Sequence, residues 1–244
     1  MNKRIDINCD IGEGVANDEA LMPWVSSCNI ACGGHAGDEA SIRTTLRLAK
    51  KYNLKIGAHP SYPDKENFGR KVLDISKEDL KESLQHQLAA FAAIVEEEQG
   101  YWHHIKPHGA LYNAIAKDER LALEFLEAIA PYLSDCFLYA PFQSRIAEIA
   151  IRSGFKIKYE AFADRNYNSD LSLVSRLQHN ALITLPEEVL HHLLKMVLEE
   201  RVKTISGQVI PIKAGTFCIH GDTPSALKIL MYLHQELPKF NIQL

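Results

Sequence analysis

Titratable side chains in this 244-residue chain recur at one kind of place, just after short apolar runs. Asp10 and Glu13 follow the first run, in Cys9-Asp10-Ile11-Gly12-Glu13-Gly14. His35 and Asp38 follow the second, in Ala31-Cys32-Gly33-Gly34-His35-Ala36-Gly37-Asp38. His59 ends the third run, and Lys106 and His108 end the fourth. Glu160, Asp164 and Arg165 close a later run, and His220 and Asp222 follow the last. If these runs are parallel strands, their carboxyl ends share one rim, which is where α/β folds bind ligands. Many of the groups are flanked by Gly or Pro, which permit tight turns and close backbone approach. Six such ends together read as an active site rather than as solvated loops.

The residue types limit the chemistry. Lys106 could stabilise an oxyanion or a phosphate. His108, two residues on, could act as a general acid or base near neutral pH, and Asp10 could serve as a base. His220 and Asp222 complete the catalytic candidates. Arg165 or Arg70 could fork onto a substrate carboxylate. Asn8, Glu13, His35 and Glu160 are the further substrate-binding candidates, Glu160 so late in its strand that it could point inward or toward the rim. Asp10, His35 and His59 could hold a divalent metal such as zinc, since carboxylate and imidazole suit a borderline ion. The two histidines could equally be neutral hydrogen-bond donors or proton shuttles.

Other chemistries lack their motifs. There is no G-x-x-x-x-G-K-[ST], no G-x-G-x-x-G after a strand and no G-x-S-x-G elbow. The five cysteines are an odd number, and Cys28 and Cys32 have no second pair to complete a zinc site. All five read as small apolar core residues. Net charge is −4, and no basic cluster interleaved with aromatics is present, which argues against a nucleic-acid partner.

These groups need a frame, and the periodicity supplies one. Strands are expected at Ile5–Cys9, Cys28–Cys32, Leu54–Ala58, Tyr101–Ile105, Cys136–Ala140, Phe155–Ala161 and Thr216–Ile219. Helices are expected at Ala40–Tyr52, from Ser76 to about Glu98, and at Glu119–Ala130, Gln143–Ser153, Glu187–Glu200 and Ser225–Leu237. Ser76-Lys77-Glu78-Asp79 resembles a capping box, and Thr223-Pro224 should cap the last helix. Val202–Ile212 could form a small hairpin. Strands alternating with helices imply βαβ units, and six or seven of them fit a distorted (β/α) TIM-like barrel spanning 1–244 as a single domain. A hydrophobic fraction of 46% and a charged fraction of 24% are ordinary for a globular protein. The N-terminus shows no signal-peptide pattern and no run approaches a membrane span, so a cytoplasmic location without membrane partners is expected.

The same segments resemble the LamB/YcsF family, which supplies the A-type component of bacterial 5-oxoprolinase. The matching stretches are Asp6 to Gly14, Asn29 to Asp38, Gly57-Ala58-His59-Pro60, Phe68-Gly69-Arg70 and Lys106 to Tyr112. Phe162-Ala163-Asp164-Arg165 with Tyr167, and His220-Gly221-Asp222-Thr223-Pro224, continue in family order to the end of the chain. Gly34 stands where the family usually carries a bulkier residue. The resemblance implies a barrel related to the polysaccharide-deacetylase fold. It also implies ATP-dependent opening of 5-oxo-L-proline (pyroglutamate) to L-glutamate. The work would be shared with two other subunits, of the B and C types, by or with which ATP would mainly be bound. In deacetylase-like barrels an Asp and two His hold a metal, which again points to Asp10, His35 and His59. Two other readings stay open: a metal-dependent amidase or deacetylase acting without ATP, and a non-catalytic 5-oxoproline-binding subunit.

Overall fold

The computed structural model describes residues 2–15, 17–132 and 136–244. Seven strands form a closed barrel: β1 (Ile7–Ile11), β2 (Ser27–Ala31), β3 (Lys55–His59), β4 (Trp102–Ile105), β5 (Phe137–Pro141), β6 (Ile157–Phe162) and β7 (Thr216–Cys218). Their order around the barrel is β7-β1-β2-β3-β4-β5-β6, with β6 closing on β7, and every pairing is parallel. The distorted seven-stranded barrel expected above is therefore what forms. Each expected strand and helix is present with its ends moved by no more than two residues.

The helices pack outside, and their local signals explain where they begin. Helix α1 (Glu39–Lys51) opens on a capping box in which Asp38 accepts from the Ser41 amide at 2.8 Å and Ser41 accepts from the Asp38 amide at 2.8 Å. Such a cap contributes about 1 kcal/mol. Asp38 is exposed and occupied here, away from the other rim groups. Helix α2 (Lys77–Glu97) starts at Ser76, which accepts from the Asp79 amide. It buries Leu80, Leu84, Leu88, Phe91 and Val95 in one stripe. Each such side chain contributes about 1.5–3 kcal/mol on burial.

Three local features depart from the sequence reading. A short helix, Gly109–Ile115, follows His108 directly. Gly109 has φ +56, and a Cβ there would sit 2.6 Å from the Gly69 carbonyl oxygen, so only glycine lets the chain turn at that point. Helix Ala226–Glu236 is not capped by Thr223; its N-cap is Ser225 at φ +66, without a side-chain cap. Residues Lys3–Arg4 and Ile242–Gln243 also pair in parallel outside the barrel.

Along most of its length the barrel wall alternates. Ile7, Cys9, Ile11, Cys28, Ile30, Ile56, Ala58, Ile105 and Leu138 join the apolar layer under the helices. The intervening residues point inward and are polar: Asn8, Asp10, Ser27, Asn29, His104, Lys106, Glu160 and Thr216, all buried. Interiors of such barrels are usually filled with branched apolar side chains. This one is filled with a hydrogen-bonded column, and the site sits on top of it. Among the described residues no helix is long and apolar enough to cross a membrane.

Candidate active site

Lys106 lies at the centre. Its Nζ is 2.8 Å from Asp10 Oδ1, 3.1 Å from Glu160 Oε1, 3.2 Å from Asn8 Oδ1 and 3.0 Å from Cys218 Sγ. Burial alone would push the ammonium toward neutrality, but the Asp10 charge and the neighbouring Cys218 and Glu160 outweigh it and hold the pKa well above its ordinary value. Burial likewise favours the protonated form of Asp10, yet the neighbouring His59 and Lys106 hold it well below the carboxylate range. Lys106 is therefore a fixed positive charge and Asp10 a fixed negative one.

Asn8 and Glu160 belong beneath this centre. The Asn8 amide nitrogen donates to Glu160 Oε1 at 2.9 Å and to Thr216 Oγ1 at 2.8 Å. Its oxygen accepts from Asn29 Nδ2 at 2.8 Å and from Lys106. All its hydrogen-bonding capacity is used inside the barrel, so Asn8 cannot bind substrate as expected; it positions Lys106. Glu160 points inward, which answers the question its place in the strand left open. It shares Lys106 with Asp10.

A second group gathers beside Asp10. Glu13, His35, His59 and His108 each offer a ligand atom within 4.8 Å of the others. Glu13 Oε1 is 3.0 Å from His35 Nε2, 3.2 Å from His108 Nδ1 and 3.8 Å from His59 Nε2. Asp10 Oδ2 lies 3.5 Å from His59 Nε2. Burial pushes the imidazoles of His35 and His108 down, His35 to about 3. Neutral imidazoles with a carboxylate are donors that fit a borderline divalent ion. His35 is stacked behind His108, with ring centroids 3.6 Å apart.

The third group is a dyad. His220 Nδ1 lies 3.0 Å from both oxygens of the fully buried Asp164, which also accepts from the His220 amide and from Thr223 Oγ1. Burial favours the neutral Asp164 acid, but the neighbouring His220 and these hydrogen bonds hold it down at about 2. A carboxylate on Nδ1 leaves Nε2 of His220 as the nitrogen able to exchange a proton. One ring nitrogen of His220 lies within 4.8 Å of an Asp10 oxygen and of the Cys218 sulfur.

All three groups face one cavity of about 580 Å³. Asp10, Glu13, His59, Lys106 and His108 contribute to its lining, and His220 borders it as well. Toward the mouth, Asp222 bridges two arginines, Arg70 at 2.5 Å and Arg176 at 3.2 and 3.4 Å. Asp222 thus lines the same cavity as Lys106 and His220, paired there with two arginines. Two guanidinium groups against one carboxylate leave a net positive charge at the entrance. Arg165 also lines the cavity, but its Nε and one Nη bind the carbonyls of Ala181 and Val174. Burial pushes its pKa down to about 10. It pins the loop between β6 and the helix Pro186–Glu199 more than it reaches outward.

Comparison with known proteins matches this arrangement to relatives along its whole length. The LamB/YcsF family profile covers residues 5–244. The chain belongs to the LamB/YcsF family. The A-type 5-oxoprolinase component of Thermococcus sibiricus is 41% identical over 99% of this chain and 96% of its own length. Its counterpart in Haemophilus influenzae is 39% identical over 99% of both. The crystal structure of a lactam utilization protein from Thermus thermophilus superposes with a TM-score of 0.91 at 32% identity, over 99% of this chain and 98% of that one. The smaller residue this family member carries at Gly34 has a local reason. A Cβ there would meet Ser61 Oγ at 2.4 Å and Gln87 Oε1 at 2.6 Å, and Gln87 is fastened to both backbone groups of Ser61.

Sequence reasoning finds the rim residues but misses three participants. Arg176 lies on an irregular loop without periodicity, and only its positive charge could draw attention. Asp164 is visible at the strand end, but its pairing with His220 is not. Cys218, which reads as a core residue like the other four, is buried yet also accepts from Lys106.

Proposed function

We propose that this chain is the lactam-opening component of an ATP-dependent 5-oxoprolinase. It converts 5-oxo-L-proline to L-glutamate in the cytoplasm, together with two further subunits of the B and C types. The relatives named as A-type 5-oxoprolinase components and as a lactam utilization protein support the substrate class. The observation that carries the reading is the layout of charge in the cavity. A net-positive arginine mouth suits the substrate carboxylate, and a buried ammonium below it suits the lactam oxygen.

Resonance makes a lactam carbon a poor electrophile, so ATP has a chemical task. Transfer of the γ-phosphoryl group to the amide oxygen forms an O–P bond, breaks the bond to ADP and leaves an iminium-like carbon. Water adds to that carbon and gives a proton to His220, whose Nδ1 is held by Asp164. The ring C–N bond then breaks, its electron pair staying on nitrogen, which takes that proton, while the added hydroxyl becomes the new C=O and its own proton passes to the released amine. The product is an acyl phosphate, and a second water releases phosphate and glutamate. Lys106 holds the negative charge that builds on oxygen. A divalent ion held by the Glu13 cluster would supply Lewis acidity beside the same carbon. ATP binds mainly on or with the partner subunits, since the chain carries none of the phosphate-loop motifs.

The test is glutamate release from 5-oxoproline by the chain alone and with the partner subunits, each with and without ATP. Turnover only in the complete, ATP-supplied mixture, lost in Lys106→Met, supports the proposal. ATP-independent turnover by the metal-loaded chain points instead to a simple amidase. Full activity after substitution of Lys106 and His220 reduces the chain to a binding component.

A further inference from the structure

We propose that Glu13, His59 and His108 form a divalent-metal site for zinc or a similar first-row ion, with its open coordination position facing the cavity, and that His35 is a positioning residue for Glu13. The set differs from Asp10, His35 and His59, and it stands without reference to the lactam reaction.

The imidazole protons decide which ring nitrogens are free. His59 Nδ1 is 2.6 Å from the Lys106 carbonyl oxygen, and His108 Nε2 is 3.0 Å from the Phe68 carbonyl oxygen. A carbonyl can only accept, so each of those nitrogens carries a ring proton. The remaining nitrogens, His59 Nε2 and His108 Nδ1, then present lone pairs, and they face each other at 2.9 Å. Glu13 Oε1 adds a third electron-rich atom 3.2 Å from one and 3.8 Å from the other. In these tautomers three acceptors converge on one point. Backbone carbonyls holding the far nitrogens of two histidines are the outer-shell arrangement that fixes metal-binding tautomers.

The spacing fits an ion. Donor separations of 2.9, 3.2 and 3.8 Å place a common point about 2 Å from all three atoms, the usual zinc–nitrogen and zinc–oxygen distance. Three protein ligands with one open position are the pattern of a reactive rather than a structural zinc site. Glu13, His59 and His108 all line the cavity, and His35 does not.

His35 is excluded as a ligand by its ring plane. An imidazole binds a metal along a lone pair lying in that plane. The rings of His35 and His108 are parallel to within 3° with centroids 3.6 Å apart, so no point lies in both planes. His35 Nδ1 is buried without a partner among the described residues, which leaves Nε2 free to keep the proton and donate it to Glu13 at 3.0 Å. Asp10 falls outside the group of mutually close ligand atoms: its Oδ1 accepts from Lys106 and from Asn29 at 2.7 Å, and its Oδ2 approaches, of that group, only His59 Nε2, at 3.5 Å.

The test uses the folded chain stripped with a chelator and titrated calorimetrically with zinc, with cobalt as a spectroscopic substitute. One ion per chain is expected, and the cobalt form should show visible d–d bands. Glu13→Gln, His59→Gln and His108→Gln should each weaken binding by about 100-fold or more and remove those bands, with circular dichroism reporting that the fold is kept. His35→Asn should cost about 10–100-fold, as loss of an outer-shell partner does, while keeping the bands. Asp10→Asn should stay within about tenfold of the parent. A folded parent chain that takes up neither zinc nor cobalt stoichiometrically overturns the proposal; a proton shared between the two rings would then explain the contact. Loss of the ion in Asp10→Asn with retention in His108→Gln overturns it as well.

Discussion

The floor and the wall of the cavity are built on opposite principles. On the floor, Lys106 and Asp10 have polar atoms committed on several sides to neighbours that are themselves buried. On the wall, His220 is held through one nitrogen, and Arg70 and Arg176 share a single carboxylate, so each keeps capacity to spare. Saturated groups in a low-dielectric interior hold charge in place, whereas groups with a free donor or acceptor can take up a ligand or pass a proton. The difference assigns electrostatics to the floor and exchange to the wall. It also separates stability from activity, which makes it testable.

The largest effect is expected on the floor. Lys106→Met should lower kcat of the reconstituted complex by about 10³-fold, as loss of a preorganised positive charge facing the developing oxyanion does. It should also destabilise the chain by about 3–5 kcal/mol, because Asp10 and Glu160 are left buried without their counter-charge. Urea denaturation and steady-state kinetics read the two losses; a variant as stable as the parent would break the contrast. His220→Gln comes next, with kcat down by about 10²-fold or more. Its stability loss should be less than half that of Lys106→Met, and an equal loss would place His220 with the floor. At the mouth, Arg70→Ala and Arg176→Ala should each raise KM for 5-oxoproline about tenfold with kcat nearly kept, the signature of binding made equally in ground and transition states.

The smallest effect lies outside both regions. His192 is buried against Tyr167, and burial pushes its pKa down to about 4. The unfolded chain binds that proton near the ordinary value, so stability is whole above about pH 6.5 and falls as pH drops toward about 4. His192→Gln should remove about 1 kcal/mol of the stability difference between pH 7.5 and pH 5.5, measured from urea midpoints. If the slope is unchanged, the acid sensitivity belongs to the site histidines.

How far the molecule is legible depends on the kind of signal. Strand ends are readable because alternation along Ile7, Asn8, Cys9 and Asp10 survives even where both faces are buried. Inward residues are polar and outward ones apolar, and Gly or Pro marks the turn. Rim membership follows from that. What each group does there does not follow, because it turns on single atoms. Asn8 looks like any strand-end amide until its four partners are placed around it. His35 and His108 have the same chemistry in the sequence, and only the 3.6 Å stack separates a ligand from its support. Arg176 and the Asp164–His220 pairing join segments distant in the chain through an irregular loop, where no periodicity exists to read.

The Asn8 amide carries a consequence beyond holding Lys106. A ring of seven parallel strands is nearly symmetric under rotation about its axis, and a lysine at the centre has no inherent reason to lean one way. Asn8 removes that degeneracy. Turned over, its NH₂ would confront the ammonium and its oxygen the Glu160 carboxylate, so two repulsions would arise from one flip. Only one orientation is allowed, and it gives the barrel a compass bearing: the ammonium is held among Asp10, Cys218, Glu160 and Asn8, and reactants above it meet the same handed arrangement each time. Asn8→Asp would erase the bearing, crowding a third carboxylate around one positive charge. A single neutral side chain is thus what makes a rotationally ambiguous interior chiral in its charge.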